Sequence, residues 1–243
     1  MTLLTAIRTQ TTLIDFPAKI RELVDHADAY HSRYNDSETF AGPSLYFHLQ
    51  ALAAAKGSDF PRCLEYVYAM LASWGMHRMG KGGSKMRPFQ VFEESVLPLQ
   101  QKVQQVRKLN PSEMTEAGWI LLEEIFKSIK VMTSGTSLVG NSKVMAHLMP
   151  NIVPPIDREY TLKFLTGSGR IRNDIDGEWR LMRLVIEQLF IPVSVEASFI
   201  QKADAWMADR KRFCWDTSIF KIIDNLIIGA MQQRKARGVE VGP

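Results

Sequence analysis

Cysteine is nearly absent: Cys63 and Cys214 are the only two in 243 residues, far apart and without a CxxC spacing or a histidine companion. Two isolated cysteines do not make a disulfide framework; they read as reduced, largely buried small side chains of a cytoplasmic protein. No window approaches about 18 uncharged apolar residues, so no membrane span is expected. The start, MTLLTAIRTQTTLIDF, lacks the apolar run that a secretory leader carries before its cleavage site. Strand alternation is missing too: the β-branched pieces at 12–14, 152–156 and 191–195 are too isolated to build a sheet. There is no repeat at solenoid period and no low-complexity tract. Neither a metal nor a cofactor is expected.

What remains is a chain of helical periodicity, 46% apolar, long enough to bury a sizeable core without staples. Apolar spacing predicts helices over 18–34, 44–56, 60–75, 88–108 with a break at Pro98, 111–132, 142–149, 158–166, 177–190, 195–208 and 216–234. The 111–132 helix is opened by the start signal Asn110-Pro111-Ser112-Glu113, with Asn110 as cap, Pro111 in the first helical position and Glu113 as reciprocal cap. The expected fold is all-α, as one domain over residues 1–243 or as two closely fused lobes with a groove between them. Lys and Arg number 30 against 26 acids, a net charge of +4. That mild excess suits an anionic partner without requiring one.

Two stretches concentrate chemistry. In 133–166, Gly140 is expected in a turn that other residues avoid, with Asn141 or Ser142 capping a helix whose first turn carries Lys143. A lysine there opposes the helix dipole. It either joins the exposed amides in holding a phosphate, or serves as an amine nucleophile with a lowered pKa. His147 follows on the same face. Val153-Pro154-Pro155-Ile156 then delivers Asp157 to the position of a helix cap, with Tyr160 just beyond. In 74–87, Arg78, Lys81, Lys85 and Arg87 surround three glycines without one acid, a composition that can grip phosphate or lie as a solvated loop. Its GKGGSK is not a Walker motif. Near the end, Asp224 sits inside the apolar stripe Phe220, Ile223, Ile227, Met231, where its burial would be unexpected.

The segment Leu138-Val139-Gly140-Asn141-Ser142-Lys143-Val144-Met145-Ala146, followed by Asp157 at the head of the next helix, resembles the helix-hairpin-helix DNA glycosylase superfamily. The family hairpin reads approximately L-P-G-V-G-x-K-T-A. Leu138, Gly140 and Ala146 match it, while one glycine is missing and the lysine register differs. The resemblance implies a two-lobed all-α fold, DNA backbone binding by Gly140, Asn141 and Ser142, and a flipped base. It also implies Asp157 and Lys143 as catalytic residues facing one groove. The basic stretch Arg78, Lys81, Lys85, Arg87 would add backbone contacts, and Trp74, His147, Tyr160 and Trp179 would line the base pocket. A non-enzymatic nucleic-acid-binding module and a helical protein-interaction scaffold are the alternative readings.

Overall fold

Short polar side chains set most of the helix starts. The computed structural model describes residues 14–37, 42–57, 59–77, 79–80, 83–133, 136–171 and 174–238. Asp15 accepts the N–H of Ala18 at 2.9 Å and opens α1 (Phe16–Asp25), with Pro17 in its first turn. A break at His26 separates it from α2 (Ala27–Ser37), so the helix expected over 18–34 is two. Next come α3 (Gly42–Lys56) and α4 (Phe60–Ser73), the latter capped by Asp59 through the N–H of Arg62 at 3.0 Å. A pair of two-residue strands, β1 (Met79–Gly80) and β2 (Gly83–Ser84), runs antiparallel with Met79 opposite Ser84.

Pro98 divides the next segment as its ring requires. α5 (Phe89–Val96) passes through a 3-10 turn, Leu97–Leu99, into α6 (Gln100–Val106). The start signal at Asn110 gives only a 3-10 turn, Pro111–Glu113, and Thr115 caps α7 (Glu116–Ser128) separately through Gly118 N–H. α8 (Leu138–Leu148) is followed by a buried run over 152–156 outside any helix or strand. The π turn Arg158–Leu162 leads into α9 (Lys163–Thr166), which ends at Gly167 in the left-handed conformation. α10 (Ile175–Val185), a second π segment Ile186–Phe190, α11 (Ile191–Ser194), α12 (Ala197–Ala208) and α13 (Ile219–Ala236) complete the order. The described residues are almost entirely helical, an all-α fold.

The chain divides into two compact units. One consists of 38–155 and 173–183. There α3 lies along α4, and α4 to α8 bury Leu64, Val67, Met70, Phe92, Val103, Leu122, Phe126 and Met145. A single such side chain contributes about 1.5–3 kcal/mol on leaving water. The other unit consists of 1–37, 156–172 and 184–243, with α2 lying along α13. Their approach is close enough that a Cβ on Gly229 would collide with the carbonyl oxygen of Tyr30. Leu23, Phe190, Phe199, Phe220 and Leu226 fill the interior of this unit. Among the described residues no single helix is long and apolar enough to cross a membrane.

Candidate functional site

Lys143 lies on α8, five residues past Leu138 and hence in the second turn, not the first as its sequence suggested. The helix starts earlier because the buried carboxylate of Glu178, forty residues on, accepts the Leu138 N–H at 2.6 Å. This acid occupies the end of the helix where a phosphate was expected, and it satisfies the local dipole from within the protein. The turn assigned to Gly140, Asn141 and Ser142 is therefore helix, and all three are buried. Gly140 does not have positive φ; it is needed for space, since a Cβ would lie 2.8 Å from Val131 and Met132 side-chain carbons. Asn141 caps another helix instead of its own, donating to Phe126 O at 2.8 Å and Ile129 O at 3.2 Å at the end of α7. These three residues have no surface to offer a nucleic acid backbone, which corrects their expected role.

A compact polar and aromatic group surrounds Lys143. Its ammonium stands 5.2 Å from the Trp74 ring centroid, and Trp74 ends α4. The ring attracts a cation, a contact that a neutral amine would not gain. The carbonyl of Lys143 accepts from His147 Nδ1 at 2.7 Å, so that nitrogen carries a proton. In neutral His147, Nε2 is then the acceptor, and it meets His48 Nδ1 at 2.8 Å, making His48 the donor. Both rings are buried, at 2% and 4% exposure. Trp74, Lys143 and His147 thus lie together, with the Trp74 and His147 ring centroids 5.9 Å apart. His48 was missed, since no local pattern links positions 99 residues apart.

Trp179 is not part of that group. It is buried against Phe126 and Trp119, with ring centroids 5.7 and 6.4 Å away, and is a core residue instead of a base-pocket wall. Of the basic stretch, Arg78 and Lys81 lie outside the described residues. Lys85 is exposed, while its carbonyl accepts from Thr133 N at 2.8 Å. Arg87 is half-buried and donates from Nε to Met132 O at 3.0 Å and from its N–H to Val131 O at 2.9 Å. Its guanidinium is thus tethered to the adjacent chain.

Asp157 belongs to the other unit. Val153, Pro154, Pro155 and Ile156 are buried, and they fix the chain entering it. Asp157 Oδ1 accepts the Glu159 N–H at 2.8 Å, while its own N–H donates to Thr161 Oγ1 at 3.1 Å. The turn it heads is π-wound: Leu162 N–H reaches back to Asp157 O at 3.0 Å. Such turns are rare and gather at functional positions. The Asp157 side chain is half-exposed, as is Tyr160 on the same turn.

Two further polar groups were not foreseen. Arg107, in the unit of Lys143, donates to Leu148 O at 2.5 Å and to Ala55 O, joining the C-terminal ends of α8 and α3. Burial pushes its guanidinium below the ordinary value. It also lines a cavity of about 370 Å³ with Lys56 and Asn151. In the other unit, His31, Asp216, Asn225, Lys221 and Asp224 form one buried network across α2, the 209–218 turn and α13. Asp224 is buried after all, at 5% exposure, and Lys221 Nζ neutralises it at 2.7 Å. Among the described residues no group of three His, Cys, Asp or Glu side chains is arranged to hold a metal ion. No family model matches the chain, no curated protein matches it, and no solved structure matches it.

Proposed function

We propose that the chain is a DNA-binding protein that works in the manner of the helix-hairpin-helix glycosylases, with Asp157 as its functional carboxylate. The observation that carries this reading is the presentation of Asp157. Four buried residues deliver it to the head of a π-wound turn, and one carboxylate oxygen is held at 2.8 Å by Glu159 N–H. A carboxylate fixed in direction and half-exposed suits stabilisation of positive charge developing on a sugar, or orientation of a water molecule. The all-α fold suits the helical architecture that the resemblance implies. In this reading Lys143, whose Nζ stands 5.2 Å from the Trp74 ring centroid, contacts a phosphate. A non-enzymatic nucleic-acid-binding module is the second reading. It is favoured by the same hydrogen bond, because capping a helix is a complete structural role for Asp157.

The test is binding to duplex DNA, with and without an abasic site, across a salt series. The expected result is affinity that falls with salt, and that weakens in Lys143→Ala. Base release or strand cleavage abolished in Asp157→Asn, with binding retained, supports the enzyme; binding with neither activity supports the module. A borohydride-trapped adduct lost in Lys143→Ala would reassign that residue as a nucleophile. Absence of salt-dependent binding rejects both readings.

A further inference from the structure

A cavity of about 370 Å³ lies in the unit of 38–155 and 173–183, where the C-terminal ends of α3 and α8 meet. Arg107, just past α6, stands in its wall and bonds both helix ends. Nε donates to Leu148 O at 2.5 Å, and Nη1 donates to Ala55 O. Ala55 and Leu148 are wall residues themselves, so the guanidinium head, and not only its stem, is at the cavity. The third nitrogen, Nη2, is buried and has no hydrogen-bond partner. Folded proteins rarely leave a buried donor unmet, least of all on a charged group. With Nε and Nη1 committed, the two-pronged grip that arginine takes on an anion is closed, and Nη2 can serve a single acceptor oxygen.

Charge points the same way. Lys56, the last residue of α3, also lines the cavity and is exposed. Among the described residues no Asp or Glu stands in the wall. Each helix end carries about half a negative charge, so the two ends offset about one of the two positive charges and leave the other. Most of the remaining wall is apolar, with Leu52 and Pro150 half-buried. An unmet N–H, a surplus positive charge and an apolar wall together suit an anion that carries an organic body.

We propose that this cavity binds a small organic carboxylate, which accepts from Arg107 Nη2, faces Lys56 and lays its apolar part on Leu52 and Pro150. The site is separate from Asp157 and Lys143 and does not depend on the DNA reading.

Hexanoate is the probe, titrated into the full chain at constant ionic strength while the Arg107 Nε–H and Asn151 side-chain amide resonances are followed by NMR. A saturable shift of both is expected, since Asn151 lines the same cavity. Hexanol keeps the chain without the charge, and inorganic phosphate keeps a charge without the chain. Each should bind about tenfold more weakly than hexanoate. Arg107 holds two helices, so its removal would confuse binding with folding; Lys56→Gln alters an exposed side chain instead. That variant should bind hexanoate about threefold to fivefold more weakly. The proposal is overturned by resonances that do not respond to hexanoate, by hexanol or phosphate binding as tightly, or by unchanged affinity in Lys56→Gln.

Discussion

Glu178 accepts the N–H of Leu138 at 2.6 Å, so an acid from α10 serves as the N-terminal cap of α8. This contact explains why the helix begins at Leu138 and why no anion site opens there. Glu178→Ala should leave a buried N–H without its acceptor and cost about 1–3 kcal/mol. Glu178→Gln keeps an acceptor oxygen and should lose less. Urea unfolding of both variants checks the order; equal stability of Glu178→Ala and the parent would deny the cap its role.

Arg107 holds two helix ends at once, through Leu148 O and Ala55 O. The last carbonyls of a helix have no partners within it, and a cation there also meets the negative end of the dipole. Arg107→Met should therefore cost about 2–4 kcal/mol, from two charged hydrogen bonds and their uncovered carbonyls. Arg107→Lys should recover only part of this, since one ammonium lacks the planar fork that spans two acceptors. Thermal unfolding of the pair of variants tests the claim, and full rescue by lysine would contradict it.

Local features of this kind were readable where the partners are neighbours in sequence. Asp157 precedes its helix immediately, and Pro98 breaks its helix by its own ring, so both were visible. The early part of α8 was not, because its cap comes from forty residues downstream and the local glycine suggested a turn. Gly140 is there for Val131 and Met132, a steric requirement that only packing reveals. The same limit hid His48 from His147, and His31 from Asp216, 185 residues away. Trp179 was misplaced for the opposite reason: an indole on an apolar face reads alike whether it packs in a core or lines a pocket, and here it meets Phe126.

Acid should weaken the unit of α1 and α13 through Glu22. Burial pushes this carboxyl up, but Lys19 at 3.3 Å and Arg234 at 2.5 Å outweigh it and hold it below the ordinary value. A carboxyl depressed in the folded state adds stability above its unfolded pKa, and loses it as pH falls through the folded one. Stability should thus be level near neutrality and fall below about pH 4.5. Glu22→Gln should lower it by roughly 1 kcal/mol at pH 7 and flatten the acid limb, as read by urea unfolding at several pH values. An unaltered acid limb in the variant would remove Glu22 as the cause.

Cys63 should be inert in the native protein. The side chain is fully buried, its sulfur lies 3.5 Å from Ala51 O, and burial pushes the thiol up to about 12. Attack requires the thiolate, and access as well. At pH 8 a thiol reagent should modify Cys63 only as fast as the protein opens, whereas half-exposed Cys214 should react sooner. Peptide mapping after timed labelling distinguishes them, and labelling of Cys63 as rapid as in denaturant would refute the assignment.

Gly229 lets α13 lie against α2, because any Cβ would run into the Tyr30 carbonyl oxygen. The obstacle is backbone, not the end of a flexible side chain, so relief requires the two helices to separate. That separation would also strain the buried bonds joining His31 to Asp216 and Asp216 to Asn225. The gain in helix propensity from glycine to alanine is about 1 kcal/mol, and overpacking of this kind costs about 1–3 kcal/mol or more, so the collision wins. Gly229→Ala should be clearly destabilised in urea, whereas Gly57→Ala, whose Cβ would sit at an ordinary 3.5 Å from Ala54 O, should change little. If both substitutions left stability unchanged, the close approach of these helices would have no energetic consequence.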